Sequence, residues 1–241
     1  MSTEPSETLR PIPNLASRLR RSLLDSVGDV AFGMEDGAVS IAGLVFGVAA
    51  STDDAKIVLL AGATGAVAGA VSMMAGTYLD VHSERSVAKA QVDRLRRRIE
   101  ANPDSARERV VVQLRQSGFT DEEADAVSSA FTRNPRAMLD HVAAYEVGMP
   151  RPGGASPRAH ALWMFFADLM AAGVPVLPFA LFPMETARIV SLVITGALMA
   201  LLGIARGLVG HEPLWRTTLQ TMTIAGAAAL AGVLIGRLVT S

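Results

Sequence analysis

Hydrophobic and polar positions fall in long blocks along this chain, not in residue-by-residue alternation. Five apolar blocks stand out, at residues 30–51, 57–79, 159–182, 189–204 and 219–238. Each is close to the ~20 residues that a helix rising ~1.5 Å per residue needs to cross a hydrocarbon core. The fourth is the shortest and spans only if Thr186 or Gly207 extends it. The first two blocks are joined only by TDDAK, which predicts a helical hairpin. FPMETAR joins the third to the fourth as briefly, whereas RGLVGHEPLWRT, with His211 and Trp215, makes a longer link to the fifth. Pro175 and Pro178 lie inside the third block.

Two stretches break this pattern. Residues 15–29, LASRLRRSLLDSVGD, set Arg against Leu at helical spacing. That suits an amphipathic helix in the membrane interface, and equally an ordinary cytoplasmic helix packed on the middle of the chain. Residues 1–17 carry three prolines and read as a loosely held tail. The second stretch, residues 84–150, has 11 Lys or Arg and 11 Asp or Glu. Its breaks are those of a soluble helical unit. Asn102-Pro103 and Asn134-Pro135 each read as an N-cap followed by Pro at the first helical position. Gly118 reads as a C-terminal stop, and Thr120 with Glu123 as a capping box. No proline occurs from Ile57 to Glu100, so one unbroken helix is predicted to enter this unit, with about three short helices after it.

These elements predict an all-α integral membrane protein with five transmembrane helices. A small helical cytoplasmic domain is inserted between the second and third spans. The divisions are 1–29 (tail and amphipathic helix), 30–83 (hairpin of spans 1 and 2), 84–150 (cytoplasmic domain) and 151–241 (spans 3 to 5). Composition agrees: 50% of the chain is hydrophobic, only 19% is charged, and mean hydropathy is +0.34. A formal net charge of -1 leaves no basic footprint for a nucleic acid. The absence of cysteine removes disulfides, thiolate metal sites and Cys nucleophiles together. No short apolar stretch ending at a small-residue cleavage site is seen, so no cleaved signal peptide is expected. Arg10, Arg18, Arg20 and Arg21 precede the first span, and Arg206 and Arg216 lie in the fourth-to-fifth link. The opposite loops hold only Lys56 and Arg188. This bias predicts a multi-pass protein of the cell membrane with the N-terminus and middle domain in the cytoplasm.

An ionisable residue within a span costs at least a few kcal/mol and so points to function. Asp36, between Glu35 and Gly37 in the first span, suits a cation ligand on a path, or an acid near the headgroups. Asp168 sits mid-span in the third block, shortly before Gly173 and Pro175. It suits a polar cavity between helices, or a structural pairing with Arg158 or His160. Met73 and Met74 bring soft thioethers into the second span, where apolar packing is the ordinary role of methionine. Asp80 and Glu84 share a helical face, but His82 points elsewhere, so this cluster is a weak metal signature. The pairs Gly33/Gly37, Gly43/Gly47 and Gly65/Gly69 allow close helix packing and carry no chemistry. There is no nucleophile elbow and no phosphate-cradling loop, and with four histidines an enzyme is not expected.

The run MEDGAVSIAGLVFGVAAS, followed by AGAVAGAVSMMAGTYLDVHSER, resembles the vacuolar iron transporter family. The likeness extends to the double proline in the third span, the YEVGM run and the IGRL near the C-terminus. The resemblance implies transport of Fe2+ and Mn2+ out of the cytosol in exchange for protons, by a homodimer. It places Asp36 and Met73 in the translocation path, with Glu35 and Asp168 as further candidates on that path. It also makes Glu100, Glu108 and Glu146 metal-binding carboxylates of the cytoplasmic domain.

The domain's pattern departs from the family's. Arg97 stands three before Glu100, Val111 three after Glu108, Val142 and Ala143 occupy the methionine places, and Thr77 replaces a glutamate. The reading is therefore an exporter of Fe2+ or Mn2+ by proton antiport, with no cofactor beyond the metal carried. Its partners are divalent metal, protons, membrane lipid and a second copy of itself. The alternative is a non-transporting membrane module whose RLRRR helix docks a partner or anionic lipid.

Overall fold

The computed structural model describes residues 14–146 and 156–240, with the side chains of residues 145 and 146 not described. Ten helices and no strands occur among the described residues. They divide between two compact units, Met1–Leu79 with Ala155–Ser241 (the membrane unit) and Asp80–Gly154 (the inserted unit).

In the membrane unit, α1 (Leu15–Asp25) is followed after Ser26 by α2 (Val27–Ser51), and then by α3 (Ala55–Ala101), which continues into the inserted unit. The unit resumes with α7 (Pro157–Val176), α8 (Pro178–Leu181), α9 (Met184–Gly210) and α10 (Leu214–Thr240). Five of these helices, α2, α3, α7, α9 and α10, are long and apolar enough to cross a membrane, and the chain is a multi-pass membrane protein.

Several boundaries differ from the sequence reading. The first span begins at Val27, not residue 30, because the amphipathic helix stops at Asp25. The fourth span is 27 residues long, and the link after it shrinks to residues 211–213. Hydropathy marks only the hydrocarbon-facing part of a helix, and Glu185, Arg188 and Arg206 extend it at the polar ends. His211 ends α9 in the left-handed conformation, φ 52°, which turns the chain at once into α10. The third span ends at Val176, and the prolines split off α8 as a four-residue turn. Ser191 Oγ donates to the Pro175 carbonyl at 2.7 Å, stitching this break to α9.

Glycines set the spacing of the spans, since small residues let backbones approach where no hydrophobic drive exists. A Cβ added at Gly43 would lie 3.0 Å from the Ala228 carbonyl oxygen, and one at Gly47 2.7 Å from that of Gly232. Gly43 and Gly47 of α2 thus pack on α10 in parallel. At Gly62 of α3 an added Cβ would meet Val176 at 2.8 Å and Val45 at 2.9 Å. The residues Val45, Val58, Ala66 and Val176 form the apolar core where α2, α3 and α7 meet.

Helix α1 buries none of its residues, and Leu15 is 73% exposed. Trp163 Nε1 donates to Ser22 Oγ at 3.1 Å, holding α1 against α7. Exposed leucines beside Arg18, Arg20 and Arg21 on a helix fixed to spanning helices suit the membrane interface.

In the inserted unit, α4 (Pro103–Gln116), α5 (Asp121–Thr132) and α6 (Pro135–Glu146) follow the last part of α3. Asn102 accepts from the Ser105 N–H at 3.1 Å, and Thr120 with Glu123 forms the capping box. Asn134 accepts from the Ala137 N–H at 3.2 Å. Arg107 ties α4 to α5 through Asp125 at 2.8 Å. Leu95, Ile99, Val110, Leu114, Met138 and Val142 make the core.

Candidate functional site

Helices α2 and α7 run side by side in register. A Cβ added at Gly33 would lie 2.7 Å from the Met164 Sδ; one at Gly37 would lie 2.7 Å from Asp168 Oδ1 and nearer still to its carbonyl oxygen. One turn earlier on each helix, His160 Nδ1 meets Asp29 Oδ2 at 2.5 Å and Ser26 Oγ at 3.3 Å. The three contacts step along both helices four residues at a time. They place the Asp168 side chain, 2% exposed, against the backbone of Gly37. The pairing of Asp168 with His160 weighed from sequence is therefore corrected. His160 is committed to Asp29, and it stands eight residues, about 12 Å, below Asp168 on one helix.

Helix α3 closes the third side. A Cβ built on Gly69 would stand 4.0 Å from Asp168 Oδ2. The carboxylate thus lies at the junction of α2, α3 and α7, where Gly37 leaves room for it. Asp36 is half-buried and precedes Gly37 on α2. Met73 lies one turn beyond Gly69 on the same stripe of α3 and is half-buried. Met164, 3% exposed, adds a second thioether one turn before Asp168.

Glu35 takes a different place. Its Oε2 is 3.7 Å from Arg206 Nη1 of α9. The sequence reading put Arg206 in a loop, and the longer α9 carries it instead on an exposed helical position that reaches Glu35. Arg206 and Met164 are thus the neighbours that sequence reasoning missed. For Met164 a signal existed, since it precedes Asp168 by four residues as Gly33 precedes Gly37. For Arg206 there was none.

The inserted unit contrasts with this. Glu100 and Glu108 are both exposed, and the Glu146 side chain lies outside the described residues, as does the YEVGM run beyond that residue. Glu100 lines a groove of about 450 Å³ with Asp140, but Arg96 and Arg136 line it too. Val142 and Ala143, at 4% and 1% exposed, are core residues, and Val111 packs against that core. Asp80, His82 and Glu84 form no cluster either: among the described residues no three His, Asp or Glu side chains gather as a metal would need.

Residues 27–237 match the model of the VIT family. The chain belongs to the VIT family. It is 30% identical to vacuolar iron transporter 1 of Arabidopsis thaliana over 215 residues, covering 88% of this chain and 86% of that protein. It is 28% identical to the vacuolar iron transporter of Centaurea cyanus, over 86% of this chain and 85% of its relative. For vacuolar iron transporter 1 of Eucalyptus grandis the identity is 30%, over 89% and 87%. The family match covers α2 through most of α10, so the Asp36–Asp168–Met73 junction lies wholly inside it. In this VIT-family chain the membrane unit buries Asp168 against Gly37, while Val142 and Ala143 of the inserted unit are core residues.

Proposed function

We propose that this chain carries a divalent transition metal, Fe2+ or Mn2+, out of the cytosol in exchange for protons. It does so as a homodimer whose path runs between the two copies of α2 and α3. The observation that carries this reading is the Asp168 carboxylate, buried at the meeting of three spanning helices against Gly37, the residue that follows Asp36 on α2. Two negative charges in a low-dielectric site need compensation, either by a cation or by a proton. The two compensations exclude each other, which is the logic of antiport.

Asp36 supplies oxygen to the metal, and Met73 supplies a soft sulfur that favours Fe2+ over Mg2+ or Ca2+. Asp168 stands behind Asp36 and takes the proton. Glu35, held by Arg206, fixes α2 to α9 next to the path. One copy offers two carboxylates and two thioethers at most, short of the six ligands that such ions commonly take, so a second copy completes the shell. We place the chain in the cell membrane, and the arginine bias supports the N-terminus and the inserted unit on the cytoplasmic side. Glu100, Glu108 and Glu146 stay as candidate carboxylates for collecting metal there, weakened by Arg96 and Arg136.

The relatives named vacuolar iron transporters support this reading over a non-transporting module that docks through RLRRR. The test is uptake into proteoliposomes holding a metal-quenched dye, with Fe2+, Mn2+, Co2+ and Zn2+ offered across a pH gradient. Quenching by Fe2+ or Mn2+ that collapses with the gradient is expected. No quenching by any ion, from protein shown to be folded, would replace transport with the docking module.

A further inference from the structure

Helices α2, α9 and α10 enclose a groove of about 670 Å³ that the transport reading does not use. Its walls are Phe46, Leu192, Leu230 and Val233, and two arginines, Arg188 and Arg237, share one end. We propose that this groove binds one glycerophospholipid with an anionic headgroup, its acyl chain along the apolar wall and its phosphate on Arg237.

The dimensions fit. Along α10 the lining runs from Gly226 to Arg237, eleven residues, or about 16 Å of helix. Half of a ~30 Å hydrocarbon core is about 15 Å, so the groove spans one leaflet and its arginine end lies at headgroup depth. Arg237 stands three residues before the end of α10, and Arg188 four residues after the start of α9. Both mark the same membrane surface.

The two arginines are not equivalent. Arg188 is already engaged, donating to the Ala49 carbonyl at 2.7 Å and to Asp53 at 2.8 Å, with Glu185 at 3.3 Å. Its charge is met. The Arg237 guanidinium makes no ion pair among the described residues, yet it borders an apolar groove. Its planar fork matches two phosphate oxygens. An apolar trough ending in a guanidinium with no ion pair among the described residues has the layout of an anionic amphiphile. This inference does not depend on the transport reading.

The test uses the full chain, purified and delipidated in detergent, with native mass spectrometry of bound phosphatidylglycerol and phosphatidylcholine of matched chains. Wild type is expected to retain phosphatidylglycerol in preference. Arg237→Gln should lower that preference by about fivefold, the worth of one basic side chain at a membrane surface. Gly226→Leu should reduce retention of both lipids without unfolding the protein, because an added Cβ there meets nothing within 4 Å. Equal retention of both lipids by wild type, or an unchanged preference in Arg237→Gln, would overturn the proposal. So would a Gly226→Leu variant that keeps its lipid but loses its dimer, which would assign the groove to a second copy.

Discussion

The membrane unit buries one carboxylate, whereas among the described residues of the inserted unit none is buried. In the membrane unit Asp168 is 2% exposed and sits where Gly37 makes room for it. In the inserted unit Glu100 and Glu108 stand in solvent, and Val142 and Ala143 fill the core nearby. A solvated carboxylate costs almost nothing to keep, so its presence says little. A carboxylate buried between helices costs several kcal/mol unless something compensates it. On the transport reading proposed above, this contrast assigns the path to the membrane unit.

The sharpest way to break this comparison is to remove the room around the carboxylate. Gly37→Leu would drive a side chain into Asp168 and push α2 off α7. Its expected cost is about 3 kcal/mol or more, seen as loss of the monodisperse peak on size exclusion. Gly76→Leu, where an added Cβ meets open space, serves as the control and should leave the peak intact. Next in size is Asp168→Asn. With the fold kept, metal flux in proteoliposomes should fall to the level of empty vesicles, because the proton-accepting partner of Asp36 is gone. Met73→Leu keeps the volume and removes the sulfur, so flux of Fe2+ should drop several-fold while α3 still packs.

The smallest effect belongs to the inserted unit. Thr120→Ala removes an N-cap, worth roughly 1 kcal/mol, and should lower the thermal midpoint without touching flux. It also tests a pH dependence. Thr120 holds the Glu123 carboxyl below its ordinary value of 4.5, first through its backbone N–H at 2.9 Å and then through its hydroxyl at 2.8 Å. Because the folded-state value is lowered, the contribution is present above pH 4.5 and is lost as pH falls through the folded value. Thermal melts between pH 6 and pH 3 should show a shallower acid loss in Thr120→Ala than in wild type.

Most of the fold was legible because its signals are local. Twenty-residue apolar blocks, Asn-Pro starts and the Thr120–Glu123 box each depend on neighbours in sequence. The missed ends of the fourth span have one cause. Helices continue past the hydrocarbon into polar residues, so α9 absorbed Arg206 and left a link of only three residues. The site was legible residue by residue but not as an arrangement. Asp36, Asp168 and Met73 stand out as misfits in apolar spans, yet nothing local puts Asp168 against Gly37 or Arg206 against Glu35. Those contacts depend on the register of α2 with α7 and α9, which a single chain's pattern does not specify.

The central claim is that metal crosses through the membrane junction and not by way of the inserted unit's carboxylates. The most direct measurement is proton-driven Fe2+ flux in proteoliposomes for Asp36→Asn beside a Glu100→Gln, Glu108→Gln double variant. Flux lost in Asp36→Asn and kept within about twofold in the double variant, a difference under roughly 0.5 kcal/mol, is the expected result. Unchanged flux in Asp36→Asn, with the double variant silent, would contradict the account.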